Sequence, residues 1–148
     1  MNRPHQRKGA VSNAHVGAAF EDVSRQYFGR SGIVLVPNFP LTIGLRASKS
    51  HCFDLGSGRP KILVECKSHR WTEGGRVPSA KMTVWNEAMF YFHLAPRSYR
   101  KVLFVLRDCH PSSGETLLDY YLRTYHHLIP DGVEFMEFNE ETETVVTK

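Results

Sequence analysis

The sequence predicts an α/β fold in which a sheet is covered by helices on both faces. Three observations support this class. Stretches with helical spacing of apolar residues alternate with short apolar, β-branched runs. A chain of 148 residues is long enough for one well-formed core and too short for two ordinary domains. Its 41% hydrophobic and 23% charged residues are close to globular averages, which excludes global disorder.

The first half predicts one helix and three strands. Ser12 or Asn13 is a suitable N-cap, and Gly29 and Gly32 end the helix. Its apolar residues at helical spacing are Val16, Ala19, Phe20, Val23 and Tyr27. Residues 33–45 predict a bent or edge strand because they contain two prolines. Shorter strands follow at residues 51–55 and 61–67, joined by a turn at 57–60.

The second half predicts two helices and two strands. After a polar loop at 69–78, Ser79 begins a helix that Pro96 ends. Its apolar stripe is Met82, Trp85, Met89 and Phe92. A strand at 101–107 precedes a third helix, for which Ser112 and Glu115 match a capping box. The last strand is 133–138. The predicted order is therefore α-β-β-β-α-β-α-β, with a basic flexible arm at 1–11, one domain at 12–138 and a frayed acidic tail at 139–148.

The charge is unevenly distributed. The formal net charge is +4, yet residues 131–148 contain six acidic residues and one basic residue, Lys148. The excess positive charge therefore belongs to the earlier residues, including the arm with Arg3, Arg7 and Lys8. Such a surface favours a polyanionic partner, most simply nucleic acid. A solvated basic protein without such a partner is the alternative.

Several classes of protein lack their sequence signals here. No apolar run approaches a membrane span, and the N-terminus has no secretory signal pattern, so we expect a cytoplasmic protein with no membrane partner. Cys52, Cys66 and Cys109 are an odd set without CxxC spacing, which indicates reduced, mostly buried thiols. The motifs of zinc and serine hydrolases are absent, and no glycine-rich loop indicates a nucleotide cofactor.

The strand at 61–67 carries the most informative pattern. Alternation places Ile62, Val64 and Cys66 on one face, and Leu63, Glu65 and Lys67 on the other. Such an apolar strand is expected near the centre of the sheet, where its two terminal charges need partners. A mutual salt bridge would satisfy them structurally, and a divalent metal with a phosphate would satisfy them functionally.

A second carboxylate, Asp54, precedes the turn before this strand. If the two strands form a hairpin, Asp54 and Glu65 can approach each other. Two adjacent carboxylates repel, and Mg²⁺ between them removes that penalty. A lysine beside them can orient water and offset negative charge. These residue types are what metal-assisted phosphodiester hydrolysis requires, although an ordinary ion pair at a strand end is the alternative.

These residues resemble the PD-(D/E)XK nuclease superfamily, which has the restriction-endonuclease-like fold. The resemblance covers nearly the whole chain and implies a central mixed sheet flanked by helices. It implies that Asp54, Glu65 and the Cys66 backbone carbonyl bind Mg²⁺, with Mn²⁺ as a substitute, and that Lys67 is the catalytic lysine. The sequence departs from the family pattern at Phe53, which stands where the motif has proline.

Further site residues follow from the same resemblance. An acidic residue on the first helix often completes such sites, and Glu21 is the best match, with Asp22 in reserve. A surface pair of Glu21 with Arg25 is the alternative. On the second helix, Lys81, Asn86 and Glu87 are candidates beside the active site. Glu87 is the preferred accessory residue because, with Tyr91, it is similar to a Gln-x-x-x-Tyr pattern of exonuclease-like relatives.

The loop after the motif strand offers contacts to nucleic acid. Arg70 and Arg76, and Lys81 beyond them, are candidates for holding backbone phosphates. Trp71 is a candidate for stacking on a base, although a tryptophan packed against the domain is equally compatible with the sequence.

The sequence therefore predicts a Mg²⁺-dependent DNA endonuclease that acts as a homodimer, since one small chain offers one active site. A restriction-type, a junction-resolving and a repair nuclease all remain open. The alternative from another class is a non-catalytic nucleic-acid-binding module with the same fold. RNA cleavage is a third, weaker reading.

Overall fold

The part of the chain that the structure describes forms a six-stranded sheet with three α-helices. The structure is a computed structural model and describes residues 13–148, so the arm predicted at 1–11 lies outside the described residues. The elements are α1 (Asn13–Arg30), β1 (Val36–Gly44), β2 (Ser48–Gly58), β3 (Lys61–Lys67), α2 (Ser79–Leu94), β4 (Arg100–Leu106), α3 (Leu117–Thr124), a 3₁₀ turn (His126–Leu128), β5 (Val133–Asn139) and β6 (Thr144–Thr147).

The strands lie in the sheet in the order in which they occur in the chain. β1, β2 and β3 form an antiparallel meander, and β5 pairs with β6 antiparallel. β3, β4 and β5 run parallel, which requires crossover connections that α2 and α3 provide. The sheet is therefore mixed, and the α/β class expected from the sequence is confirmed.

Helices cover both faces of the sheet. On one face, α1 packs through Phe20 and Phe28 against Ile62, Val64 and Phe104 of the central strands. On the other face, α2 and α3 enclose a larger core. That core includes Leu63, Trp85, Phe92, Leu103 and Tyr121. The alternation predicted for β3 is confirmed, because Ile62 and Val64 belong to the first core and Leu63 to the second.

The C-terminal residues differ from the expected frayed tail. Residues 144–147 form β6, which extends the sheet beside β5. The ammonium of Lys148 lies 2.9 Å from the buried Glu137 carboxylate and 3.0 Å from Asp119. The expectation failed because this short segment gains its order from a partner strand and from ion pairs, neither of which local periodicity encodes.

The third helix also begins later than the predicted capping box. Its N-cap is Thr116, whose side chain accepts a hydrogen bond from the backbone N–H of Asp119. The Ser113 side chain instead accepts from the N–H of Glu115, within a turn before the helix.

The alternation of β2 is broken next to Asp54. Phe53 packs in the core under α2, whereas Leu55, two residues later, packs in the core under α1. β1 pairs with β2 through Pro37 with Leu55 and Phe39 with Phe53, and the register has no pair at Asp54 between them. This local irregularity has the effect of a β-bulge, which redirects side chains in a strand. It releases Asp54 from the regular ladder.

Across the described residues, 13–148, no helix is both long and apolar enough to cross a membrane.

Candidate active site

The β2–β3 hairpin brings Asp54 and Glu65 together. The ladder between these strands ends at Leu55 and Val64, so the next residue on each strand is one of the two acids. Beyond that last pair, Asp54 Oδ2 accepts a 2.8 Å hydrogen bond from the backbone N–H of Cys66. The Asp54 carboxylate also lies close enough to Glu65 for its negative charge to raise the pKa of the Glu65 carboxyl group. The two acids predicted from the sequence therefore meet at one point of the sheet.

Glu65 is held in an environment that disfavours its charge. The residue is only 6% exposed. Its nearby lysine is Lys67, whose Nζ atom lies 3.5 Å from Glu65 Oε2. Burial, and next the negative charge of Asp54, raise the pKa of Glu65 to about 8, while Lys67 opposes the shift. One lysine therefore does not compensate for two neighbouring carboxylates in a largely dry site. A further positive charge would stabilise the ionised form.

Glu21 of α1 lies near Asp54 and Lys67, and these residues together with Glu65 form the acidic cluster. Its carboxyl group is half-buried, and its pKa is raised by burial and then by the charge of Asp54, while Lys67 lowers it. The surface pair considered as an alternative is not formed with Glu21, because Arg25 binds Asp22 at 3.0 Å on the exposed side of the helix. Of the two adjacent acids, the structure directs Glu21 toward the hairpin.

His51 of β2, which the sequence alone could not place, also lies beside Glu65. Its Nε2 atom lies 3.6 Å from Glu65 Oε1, is buried and has no hydrogen-bond partner among the described residues. The ring stacks on Tyr91 at 3.6 Å and meets Phe53 edge-on at 4.7 Å. Burial lowers the pKa of His51, which favours the neutral imidazole.

No regular strand pattern would have found this histidine. His51 and Asp54 are separated by three positions, so strict alternation assigns them to opposite faces of the sheet. In the structure, where this alternation is interrupted at Asp54, both side chains lie beside the Glu65 carboxyl group.

The second helix borders the cluster as expected for part of its length. Tyr91 carries the stacked His51 ring, and the charge of Glu87 acts on the pKa of His51. Asn86 instead points inward, where its Oδ1 atom accepts a 2.8 Å hydrogen bond from the Tyr121 hydroxyl. Asn86 is thus occupied within the core.

Lys81 lies nearer the start of α2, beside His69. His69 Nδ1 accepts a 2.8 Å hydrogen bond from Trp85 Nε1. The pKa of His69 is lowered to about 4 by burial, and then by the positive charges of Lys67 and Lys81. His69 therefore connects the end of β3 to α2 as a neutral acceptor, and Lys81 remains exposed at the rim of the cluster.

Two loop residues expected at a nucleic-acid surface have structural partners. Trp71 is 9% exposed, and its indole N–H donates to the Glu115 carbonyl at 3.1 Å. The packed alternative therefore describes Trp71, and stacking on a base would require it to leave the core. The Arg70 guanidinium contacts Glu140 at 2.6 Å and Asp108 at 3.4 Å, so a phosphate would compete with two carboxylates.

Arg76 is exposed in the same loop, and its backbone N–H donates a 2.9 Å hydrogen bond to the Thr72 hydroxyl. It remains a candidate for phosphate contact.

The cysteines differ from expectation, because Cys52 and Cys109 are exposed and only Cys66 is partly buried. All three are free.

The donor atoms at the hairpin fit Mg²⁺ better than a metal that needs several protein ligands. Within residues 13–148, no three His, Cys, Asp or Glu side chains form a group arranged to hold a metal. Mg²⁺, however, takes one or two carboxylates and keeps several waters. The pair of Asp54 and Glu65, with the Cys66 carbonyl next in the chain, supplies that kind of donor set. The raised pKa of Glu65 marks the charge that such an ion would balance.

Comparison with protein-family models, with curated proteins and with solved structures found no match to this chain.

Proposed function

We propose that this protein is a Mg²⁺-dependent deoxyribonuclease of the restriction-endonuclease-like fold, which hydrolyses phosphodiester bonds within DNA. One observation carries the proposal: the buried Glu65 carboxyl group lies beside Asp54, with Lys67 Nζ 3.5 Å away. A structural ion pair needs one acid and one base. The second acid is in excess for that purpose, and it is what a divalent cation site requires.

Each residue of the cluster has a role in this proposal. Asp54, Glu65 and the Cys66 carbonyl would hold Mg²⁺, or Mn²⁺ in its place. The bound ion would supply Lewis-acid stabilisation of the charge that develops on the phosphate. Lys67 orients the attacking water and offsets negative charge as the water oxygen bonds to phosphorus and an ester oxygen leaves. Glu21 completes the acidic cluster from α1.

The substrate and assembly extend the same proposal. DNA would lie across the site, with the exposed side chains of Arg76 and Lys81 contacting its phosphates. Cleavage of two strands by a chain with one site is simplest in a two-fold homodimer. We propose action in the cytoplasm and no nucleotide cofactor. A restriction-type, a junction-resolving and a repair role are equally compatible with the site.

A non-catalytic nucleic-acid-binding module is the competing proposal. It is favoured by the direct partners within the cluster, since Asp54 accepts from the Cys66 N–H and Glu65 lies near Lys67. In that case the contacts of Asp54 and Glu65 would only stabilise the pairing of β2 with β3, and basic side chains elsewhere would bind nucleic acid without cleavage.

A cleavage panel distinguishes the two proposals. Purified protein would be incubated with supercoiled plasmid, linear duplex, a four-way junction and RNA, each with Mg²⁺, with Mn²⁺ or with EDTA. We expect metal-dependent cleavage of a DNA form, and a loss of at least about 100-fold in Lys67→Ala with DNA binding retained. Lys61→Ala, at the exposed start of the same strand, is the matched control.

Full activity in Lys67→Ala would overturn the assigned site. Binding to DNA without cleavage of any substrate with either metal would favour the binding module, and cleavage restricted to RNA would change the substrate class.

A further inference from the structure

A cavity of about 480 Å³ lies where β4 and β5 begin, away from the end of β3 that carries Lys67. The end of α2, the start of β4 and the turn before β5 enclose it. Its polar and aromatic lining residues include His93, Arg97, Tyr99, Lys101 and Asp131. None of these residues belongs to the acidic cluster, so the properties of this cavity are independent of the proposed nuclease activity.

Lys101 is the most unusual group in the cavity wall. The residue is 8% exposed, and its ammonium group donates one 3.0 Å hydrogen bond, to the backbone carbonyl of Ala95. Among the described residues no carboxylate pairs with it. An ammonium group has three N–H donors, and a buried one without an anionic partner is costly. The bond to Ala95 at the end of α2 satisfies part of that need.

Arg97 places a second positive charge in the same space. Burial and then the charge of Arg97 lower the pKa of Lys101, so the two cations repel each other across the cavity. Asp131 is the acidic residue in the lining, and it is exposed at the rim. An anion bound between Arg97 and Lys101 would convert their repulsion into two attractions.

Tyr99 gives the cavity a fixed aromatic side. Its ring lies 6.4 Å from the Phe39 ring and under Lys61 Nζ at 5.6 Å, which holds it in place. The cavity volume is in the range of small-molecule sites and is large enough for a phosphate with an attached organic group.

We propose that this cavity binds a small phosphomonoester anion, with the phosphate between Arg97 and Lys101. A phosphomonoester carries close to two negative charges near neutral pH and offers three acceptor oxygens, which match these donors. The buried position of Lys101 favours a terminal phosphate over a nucleic-acid backbone, whose phosphodiesters have a sugar on each side and carry a single charge. Inorganic phosphate and a nucleoside monophosphate share this chemistry.

Calorimetric titration at constant ionic strength tests the proposal. The probes are inorganic phosphate, adenosine 5′-monophosphate and adenosine. We expect saturable binding of a phosphate-bearing probe and none of adenosine. Binding of adenosine 5′-monophosphate alone would identify a nucleotide site, and binding of both phosphates would identify the phosphate group as the determinant.

Variants locate the site. Arg97→Ala and Lys101→Met should each weaken binding by about tenfold or more, since each removes a charge-assisted contact. Asp131→Asn should tighten binding, and Arg46→Ala, in the β1–β2 hairpin, is the control. Arg97 is exposed, so its variant decides the outcome even if Lys101→Met fails to fold.

Three results would overturn the proposal: no binding of either phosphate, unchanged affinity in Arg97→Ala, or displacement of adenosine 5′-monophosphate by a DNA duplex without terminal phosphates. The last result would assign the cavity to nucleic-acid backbone.

Discussion

Asp54 Oδ2 accepts a 2.8 Å hydrogen bond from the backbone N–H of Cys66, one step beyond the last paired residues of β2 and β3. A charge-assisted bond of this kind contributes on the order of 2 kcal/mol. Because Cys66 directly follows Glu65, the bond also fixes the Asp54 carboxylate beside the Glu65 side chain. The same contact thus closes the hairpin and holds two acids together.

The metal-free protein should lose stability between about pH 6.5 and pH 8. The pKa of Glu65 is about 8 in the folded state and near 4.5 when unfolded, so the folded protein keeps a proton that the unfolded chain releases. Unfolding is therefore favoured as pH rises, by on the order of 1 kcal/mol per pH unit. Below pH 6.5 the opposite contribution of His69, whose pKa is about 4, obscures this slope.

Glu65→Gln should remove that slope, since the amide does not titrate. Urea unfolding at several pH values with EDTA would measure it. An equal slope in Glu65→Gln and the parent protein would show that another group is responsible. Added Mg²⁺ should stabilise the parent protein more at pH 8 than at pH 6.5.

Glu21→Gln and Asp22→Asn form a matched pair on adjacent residues of α1. The charges of Asp54 and Lys67 act on the pKa of Glu21, whereas Asp22 forms an ion pair with Arg25 at the surface. If the proposed nuclease activity is correct, Glu21→Gln should reduce the cleavage rate by about tenfold or more, equivalent to ~1.4 kcal/mol. Asp22→Asn should stay within about twofold. Equal effects in the two variants would remove Glu21 from the site.

Trp71→Ala and Arg76→Ala should separate stability from binding. Trp71 is buried and hydrogen-bonded, so its truncation should cost about 3 kcal/mol of unfolding free energy, measured with urea. Arg76 is exposed, so Arg76→Ala should leave the free energy of unfolding unchanged. It should weaken DNA binding and reduce the slope of log affinity against log salt concentration by about one. A stable Trp71→Ala protein with weakened DNA binding would restore the stacking interpretation.

Lys81→Gln should raise the pKa of His69. Lys81 lies close enough to act on the imidazolium form, so removing its charge reduces the repulsion. Proton NMR of the His69 ring across pH 3 to 7 would measure the shift from a starting value of about 4. Lys49→Gln in β2 is the control, because Lys49 is not among the groups that shift this pKa. An identical His69 titration in Lys81→Gln would contradict the arrangement.

Much of the fold was predictable because the apolar residues of its strands and helices recur with clear local periods. The stripe of Met82, Trp85, Met89 and Phe92 is buried along α2, as its spacing predicted. The alternation in β3 was equally clear. The turn predicted at 57–60 was compatible with a hairpin of the flanking strands, and the structure shows that hairpin.

The order of β6 and the structural partners of Trp71 and Arg70 could not be read from the sequence, for a common reason. β6 is held by pairing with β5, Trp71 is held by Asp108 and Glu115 far along the chain, and Arg70 is bound by Glu140. Each contact joins residues that are distant in sequence, so neither composition nor spacing reveals it.

The sequence by itself determined the α/β class, the position of Glu65 and Lys67 on one face of a central strand, and the presence of an acid across the turn, because these features depend on periods of two and 3.6 residues. Only the tertiary structure decided that Glu21 rather than Asp22 faces that strand, and that His51 joins the cluster. The break in alternation beside Asp54 and the docking of α1 on the sheet set those positions, and both arise from packing between distant segments.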